Sequence, residues 1–202
     1  MSVSEPMVWF VGAGPGDPEL MTLKGLRLIR TADLILYAGS LVPECMTHEA
    51  KPDARVLDSS PMTLQETHAL LRDTARAGKT AVRLHTGDPS LYGAVREQAA
   101  LLDIENIPWG VVPGVSAAFA AAASACVSFT VPEVCQTLII TRLSGRTRVS
   151  EQEQLRLLAA HRTAMAVYLS TAEVEELQAE LLLAGLDGET VVIIAHQVGW
   201  SG

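Results

Sequence analysis

An α/β protein built on a largely parallel sheet is the fold that this sequence predicts, and three observations carry the prediction. Short apolar runs rich in β-branched residues alternate along the chain with stretches of helical periodicity. Gly- and Pro-rich turns follow several of those runs, as they do where a strand feeds a crossover helix. The chain of 202 residues is 49% hydrophobic, enough to bury a full core in one large domain or two small ones.

Eight strands are expected, at Met7–Val11, Leu34–Tyr37, Arg55–Asp58, Thr80–His85, Ile107–Val112, Thr137–Thr141, Ala164–Leu169 and Val191–His196. Helices fall between most of them. "TLQE" from Thr63 reads as a capping box with Glu66, and Gly78 closes the same helix after the apolar positions Leu64, Leu70, Leu71 and Ala75. Ser150 with Glu153 repeats the device ahead of "QLRLLAAH". The uncharged stretch from Asn106 to Pro132 is long enough to span a bilayer. Pro113 and Gly114 interrupt it and Ala and Ser dominate the remainder, so a buried small-residue helix is expected there instead. "SACVSFTVPEV" breaks the pattern between Ser124 and Val134, which predicts two α/β lobes, residues 1–129 and 130–202.

Composition excludes several functions. A net charge of -8 argues against general nucleic-acid binding, which depends on Lys and Arg neutralising phosphates. Cys45, Cys126 and Cys135 show no CxxC or Cys/His spacing, and the five histidines, His48, His68, His85, His161 and His196, are scattered. No metal site is expected, and a reducing, cytoplasmic setting fits best. "MSVSEP" has no basic region ahead of its apolar run, so a secretory signal is not expected.

In a parallel sheet, ligands collect beyond the carboxyl ends of the strands. Four segments stand there: "GAGPGDP" (Gly12–Pro18), "YAGSLVP" (Tyr37–Pro43), "HTGDPSLYG" (His85–Gly93) and "VPGVSAA" (Val112–Ala118). The first invites a dinucleotide reading that its details oppose. Its third glycine comes one place early, and Pro15 and Pro18 delay the helix whose N-terminus would meet a pyrophosphate. The second strand ends in Tyr37-Ala38-Gly39 instead of a carboxylate, and Asp33 precedes that strand. In the third segment Thr86 and Gly87 allow close backbone approach, Asp88 can accept hydrogen bonds and Pro89 fixes the turn. In the fourth, Ser116 can cap a helix whose small residues leave room for a ligand.

"VGAGPGDPELMTLKG", "HTGDPSLYG" and "PGVSA", in this order and spacing, resemble the tetrapyrrole (corrin and porphyrin) methyltransferase family, which uses S-adenosylmethionine. Within it, "YAGSLV" and "FTVPEVCQTLIITRLSGRT" are similar to the branch that methylates precorrin-4, metal-free or with cobalt, at C-11 during cobalamin synthesis. The resemblance spans residues 7 to 200. It implies a two-lobed α/β fold with the cofactor in the interlobe cleft, and a homodimer. Family members continue beyond the position of Gly202, which leaves open whether the second lobe is whole.

Carried over by position, the resemblance implies cofactor contacts at Pro15, Gly87, Asp88, Leu91, Ser116, Ala117, Tyr168, Leu169, Ala195 and His196. It implies a polycarboxylate tetrapyrrole substrate near Gly14, Gly39 and Ser40. Arg142, Arg146 and Arg148 offer guanidinium forks for its carboxylates, the alternative being an ordinary solvated loop. Methyl transfer from a sulfonium needs alignment and exclusion of water, and no nucleophilic triad is seen. Relatives acting on earlier intermediates carry an acidic residue after the tyrosine of the second strand. Ala38-Gly39-Ser40 stands there instead, so no catalytic acid or base is assigned. Two other functions fit the same residues: a methyltransferase of this fold acting on another tetrapyrrole or a macromolecule, and a tetrapyrrole-binding module without catalysis.

Overall fold

A computed structural model describes residues 7–145 and 148–200. By packing, these residues form two units. One ends at Ala120 and takes in Gln197 to Trp200 as well, and the other is Ala121–His196. The sequence places the division near Phe129. In space it falls inside the Ala-rich helix, and the last described residues return to the first unit.

The first unit is a five-stranded, all-parallel sheet. Its strands are β1 (Val8–Gly12), β2 (Leu34–Tyr37), β3 (Arg55–Asp58), β4 (Ala81–His85) and β5 (Trp109–Val112), in the order β3-β2-β4-β1-β5. Central strands carry apolar residues on both faces, because both are covered. On one face Val8, Phe10, Leu34 and Leu36 pack with Leu71 and Ala75 of α2 (Leu64–Arg76) and with Ala99 and Leu102 of α3 (Val95–Ile104). On the other, Val11, Ile35, Val82 and Leu84 pack with Ile29 of α1 (Leu23–Thr31). Phe10 is fully buried, edge-on to Trp109 at 6.0 Å. Each large side chain buried this way contributes about 1.5–3 kcal/mol by leaving water.

The strand order sets the position of the site. The helix after β1 covers one face and the helix after β4 covers the other, although the two strands are hydrogen-bonded neighbours. Chains leaving their carboxyl ends therefore diverge. Such a switch point is where open parallel sheets bind ligands.

Local signals act largely as the sequence predicts. Pro18–Leu20 forms a short 3-10 turn, and α1 starts only at Leu23, capped by the Thr22 hydroxyl, which accepts from Gly25 N–H. The Thr63–Glu66 capping box is complete in both directions, and Gly78 N–H closes α2 on the Ala75 carbonyl. Leu64, expected on the apolar face of α2, lies at its exposed first position.

The second unit is smaller. β6 (Leu138–Arg142) and β7 (Ala164–Tyr168) pair in parallel, with α5 (Leu155–Ala159) and α6 (Val174–Leu183) beside them. Three expectations are corrected. Val191–His196 forms no strand: Val191 to Ile194 are each more than half exposed and no ladder reaches them, so β-branched propensity has no partner to act on. The Ala-rich helix, α4, spans only Ala117–Ser124 and buries Ala120 and Ala122 while exposing Phe119, because small side chains give it little to anchor. Ser150 and Glu153 join side chain to side chain at 2.9 Å around a 3-10 turn, and α5 begins after it without a side-chain cap. Among the described residues, no helix is long and apolar enough to cross a membrane.

Asp33, at the amino end of β2, ties three strands together. Its carboxylate accepts from Lys51 Nζ at 2.7 Å and from Thr80 N–H at 2.8 Å, and its own carbonyl accepts from Arg55 N–H at 2.9 Å. The Lys51 ammonium and the Thr80 N–H hold this carboxyl below its usual range against a smaller opposing effect of burial. With the folded-state value below an unfolded value of about 3.9, the stabilisation is complete above that pH and is lost as pH falls through the folded value. Asp33→Ala is expected to lower stability by about 1–2 kcal/mol, measured by urea unfolding at neutral pH. The deficit should vanish in strong acid; a deficit that persists there would contradict this assignment.

Candidate active site

The carboxyl ends of β4, β1 and β5, neighbours in the sheet, bring three of the four predicted loops together. Gly14 and Gly87 form an isolated antiparallel bridge, with Gly14 N–H donating to the Gly87 carbonyl at 3.2 Å and Gly87 N–H to the Gly14 carbonyl at 2.7 Å. Ala13 N–H donates to the His85 carbonyl at 2.8 Å. Behind the bridge, Gly12, Gly87 and Gly114 meet backbone to backbone. A Cβ on Gly114 would stand 2.1 Å from the Gly87 carbonyl oxygen and 2.8 Å from the Gly12 Cα, and a Cβ on Gly12 would stand 2.6 Å from the Gly114 Cα. Gly87 also has a φ of +59°, which a side chain tolerates poorly.

Asp88 locks the junction. One carboxylate oxygen accepts from Gly114 N–H at 2.9 Å, and the other accepts from the N–H and hydroxyl of Ser90. Burial pushes the Asp88 carboxyl up, but the Ser90 hydroxyl and the Gly114 and Ser90 N–H groups outweigh it and hold the group below the usual carboxylate range. Downstream, Tyr92 and Ala94 both adopt positive φ, +56° and +48°, and Leu91 is half-buried. Side chains held in the left-handed region cost about 1–3 kcal/mol each and cluster at functional loops. Ser116 is buried and its carbonyl accepts from Phe119 and Ala120 N–H, which starts α4; Ala117 is half-buried. Gly14 and Pro15 are buried, and the Trp200 ring occupies the space that a side chain on Gly16 would need, 2.5 Å from that Cβ position.

The remaining loop, Tyr37–Pro43, lies on the same edge, at the ends of β2 and β3. Gly39 N–H donates to Asp58 Oδ1 at 2.9 Å, and Ser40 N–H to the Ser60 hydroxyl at 3.3 Å. A Cβ on Gly39 would lie 2.8 Å from Asp58 Oδ2. The loop after Tyr37 contains no carboxylate, yet β3 places one against it. Gly39 N–H and Ser60 hold Asp58 below the usual carboxylate range. Ser59 grips the Tyr37 carbonyl with its N–H at 2.7 Å and its hydroxyl at 2.9 Å, and Arg83 Nη1 donates to that hydroxyl at 2.5 Å. Sequence reasoning passed over Asp58, Ser59 and Arg83. The signal that could have found Arg83 is a charged residue inside a central apolar strand, where charge is seldom buried without purpose.

His85 ends β4 beneath this edge. It is 8% exposed, its Nε2 has no partner among the described residues, and burial with the Arg83 charge pushes it down to about 3, so it is neutral at physiological pH.

The remaining predicted residues belong to the second unit. Arg142 and Tyr168 are register partners at the carboxyl ends of β6 and β7. Ser170, buried, links those ends: it donates to the Tyr168 carbonyl at 2.8 Å and accepts from Leu143 N–H at 3.3 Å. Leu169 is 67% exposed with a φ of +57°, a strained residue that follows a strand directly. Arg142 lines a cavity of about 270 Å³ with Ser144, Arg156, Glu176 and Glu180. Arg148 is exposed, and Arg146 lies outside the described residues. Ala195 is half-buried and His196 exposed, both beyond the run that forms no strand.

A parallel sheet with a glycine junction at its switch point, its motifs in this order, is the core of a known enzyme class. The chain belongs to the tetrapyrrole (corrin/porphyrin) methylases, whose family model matches residues 7–202. It is 44% identical to the cobalt-precorrin-4 C(11)-methyltransferase of Priestia megaterium over 193 residues, 96% of this chain and 75% of that one. The X-ray structure of a cobalamin biosynthetic enzyme, cobalt precorrin-4 methyltransferase, superposes with a TM-score of 0.85 at 46% identity, covering 89% of this chain and 75% of the other. A uroporphyrin-III C-methyl transferase from Thermus thermophilus, solved with S-adenosyl homocysteine, gives a TM-score of 0.70 at 32% identity, covering 89% and 77%.

Because Gly12, Gly87 and Gly114 meet backbone to backbone, Gly114→Ala is expected to destabilise the fold by about 2–3 kcal/mol, as overpacking does. Gly145→Ala, where a Cβ meets nothing within 4 Å, should cost far less. Thermal unfolding of the two variants checks the difference, and equal losses would refute it.

Proposed function

We propose that this chain transfers the methyl group of S-adenosylmethionine to C-11 of precorrin-4 or cobalt-precorrin-4 in cobalamin biosynthesis. The observation that carries the reading is 44% identity, over 96% of the chain, to an enzyme of that name. The loops fit the cofactor's charge. Across residues 12–20, 86–93 and 113–118 the charged side chains are Asp17, Glu19 and Asp88, all acidic, so nothing there repels a sulfonium. The junction brings backbone groups of three strands to one point, which suits a ligand held mainly by main-chain contacts.

Bound S-adenosylmethionine supplies an electrophilic methyl carbon on a sulfonium. The reading gives this chain the tasks of alignment and exclusion of water, which provide much of the acceleration of an in-line displacement. As the family resemblance implies, the reading assigns cofactor contacts to Pro15, Gly87, Asp88, Leu91, Ser116 and Ala117, and to Tyr168, Leu169, Ala195 and His196. Gly14, Gly39 and Ser40 face the substrate, and Arg142 and Arg146 take carboxylates. Asp88 acts chiefly by keeping the loops after β4 and β5 in register, since both its oxygens are already engaged. A homodimer in a reducing cytoplasm completes the reading, supported by exposed Leu182, Leu183 and Val191–Ile194 and by cysteines free of disulfides.

Incubation with labelled S-adenosylmethionine and either precorrin-4 or its cobalt complex should give a product heavier by one methyl group, read by mass spectrometry. Cofactor binding without mass gain would instead support a non-catalytic module. Arg142→Ala is expected to raise the KM for tetrapyrrole about tenfold, the equivalent of one charge-assisted hydrogen bond, with cofactor affinity unchanged. An unaltered KM at low salt would assign Arg142 to the solvated surface.

A further inference from the structure

We propose that Arg83 is a carboxylate-recognition point on the first unit, a guanidinium without an ion-pair partner among the described residues, at the edge formed by Gly39, Ser40, Ser59 and Ser60. The proposal rests on the tetrapyrrole reading above for the identity of the ligand, a substrate bearing many carboxylates.

Arg83 projects from the middle of β4, in register with Phe10 of β1 and Leu36 of β2, on the same side of the strand as His85. Among the described residues it makes one hydrogen bond, from Nη1 to the neutral Ser59 hydroxyl, and its buried Nε has no partner there. None of the ion pairs among the described residues includes it. Asp58 attracts it, but the two form no ion pair among the described residues, and Asp58 Oδ1 is taken up by the neutral donors Gly39 N–H, Ser60 N–H and the Ser60 hydroxyl. His85 beside it is neutral and adds no anion. A guanidinium does not lose its proton in a protein, so the cost of desolvating it falls on the fold unless an anion arrives.

Support for the turn after β2 does not explain the residue. Ser59 holds the Tyr37 carbonyl with both its N–H and its hydroxyl, so the turn is fixed without the guanidinium. What the guanidinium adds is a positive charge, on a partly exposed side chain, beneath a rim of small polar residues in which Ser40 and Ser60 are exposed. A planar fork with unused donors matches a carboxylate in a way a lysine would not. The same edge adjoins the Gly14–Gly87 bridge, so a carboxylate held here would anchor the ring beside the methyl-donor loops.

The test compares wild type with R83M and R83K, using a fluorescent polycarboxylate porphyrin and its methyl ester as probes, with thermal unfolding and S-adenosylmethionine binding measured in parallel. Wild type should prefer the free acid. R83M should weaken acid binding about tenfold or more, lose the preference over the ester and leave the cofactor Kd within about twofold. Its Tm should stay level or rise, because an apolar chain replaces a half-buried charge that has no ion-pair partner. R83K should recover part of the acid preference. Acid binding that is unchanged in R83M, or lost only together with cofactor binding and a lowered Tm, would overturn the subsite and leave Arg83 a structural residue. If wild type binds neither probe nor precorrin-4, the tetrapyrrole reading itself fails and takes the subsite with it. Those two failures are distinguished by the wild-type arm alone.

Discussion

The contact of Gly12, Gly87 and Gly114 is the constraint on which the rest of the first unit depends. Three parallel strands end together, and their main chains approach so closely that a single Cβ at Gly12 or Gly114 would collide with backbone. The approach determines where the loops begin, and the Gly14–Gly87 bridge and the Asp88 carboxylate determine how they continue. A side chain elsewhere in the core can yield to a neighbour by changing rotamer. Backbone against backbone has no such freedom, so the loops inherit the rigidity of the sheet.

Rigidity suits the chemistry. Displacement at a sulfonium methyl carbon asks the protein for geometry more than for acids and bases, and the strand ends and main-chain groups of the glycine junction are fixed in geometry. Titratable groups near the loops are accordingly quiet. Asp88 and Asp58 are held ionised by N–H and hydroxyl donors, and His85 is held neutral by burial. Arg83 is the exception, a charge that among the described residues hydrogen-bonds to a neutral hydroxyl and joins no ion pair.

Much of this was legible in the sequence because it depends on local chemistry. Seven of the eight expected strands are present, and the Thr63–Glu66 box and the delaying Pro18 act where they stand. The four loops were recognisable from Gly, Pro and Asp in positions that only turns require. The expectation failed where the outcome depends on a partner distant in sequence. "VVII" has strand propensity but no ladder to join, and the Ala-rich stretch has helical propensity but too little side chain to bury.

The sequence by itself determined the class of fold, the position of its loops and the family to which the chain belongs, since periodicity, turn residues and motif order are all properties of short segments. Tertiary structure alone decided which strands would be neighbours, and so which loops would meet. Asp58 shows the difference: nothing near Gly39 in the sequence is acidic, yet β3 pairs with β2 and sets a carboxylate against it. Arg83 shows it again, because the partners of a charge are found across the sheet and not along the chain. Hydrogen bonding between strands is long-range in sequence and short-range in space.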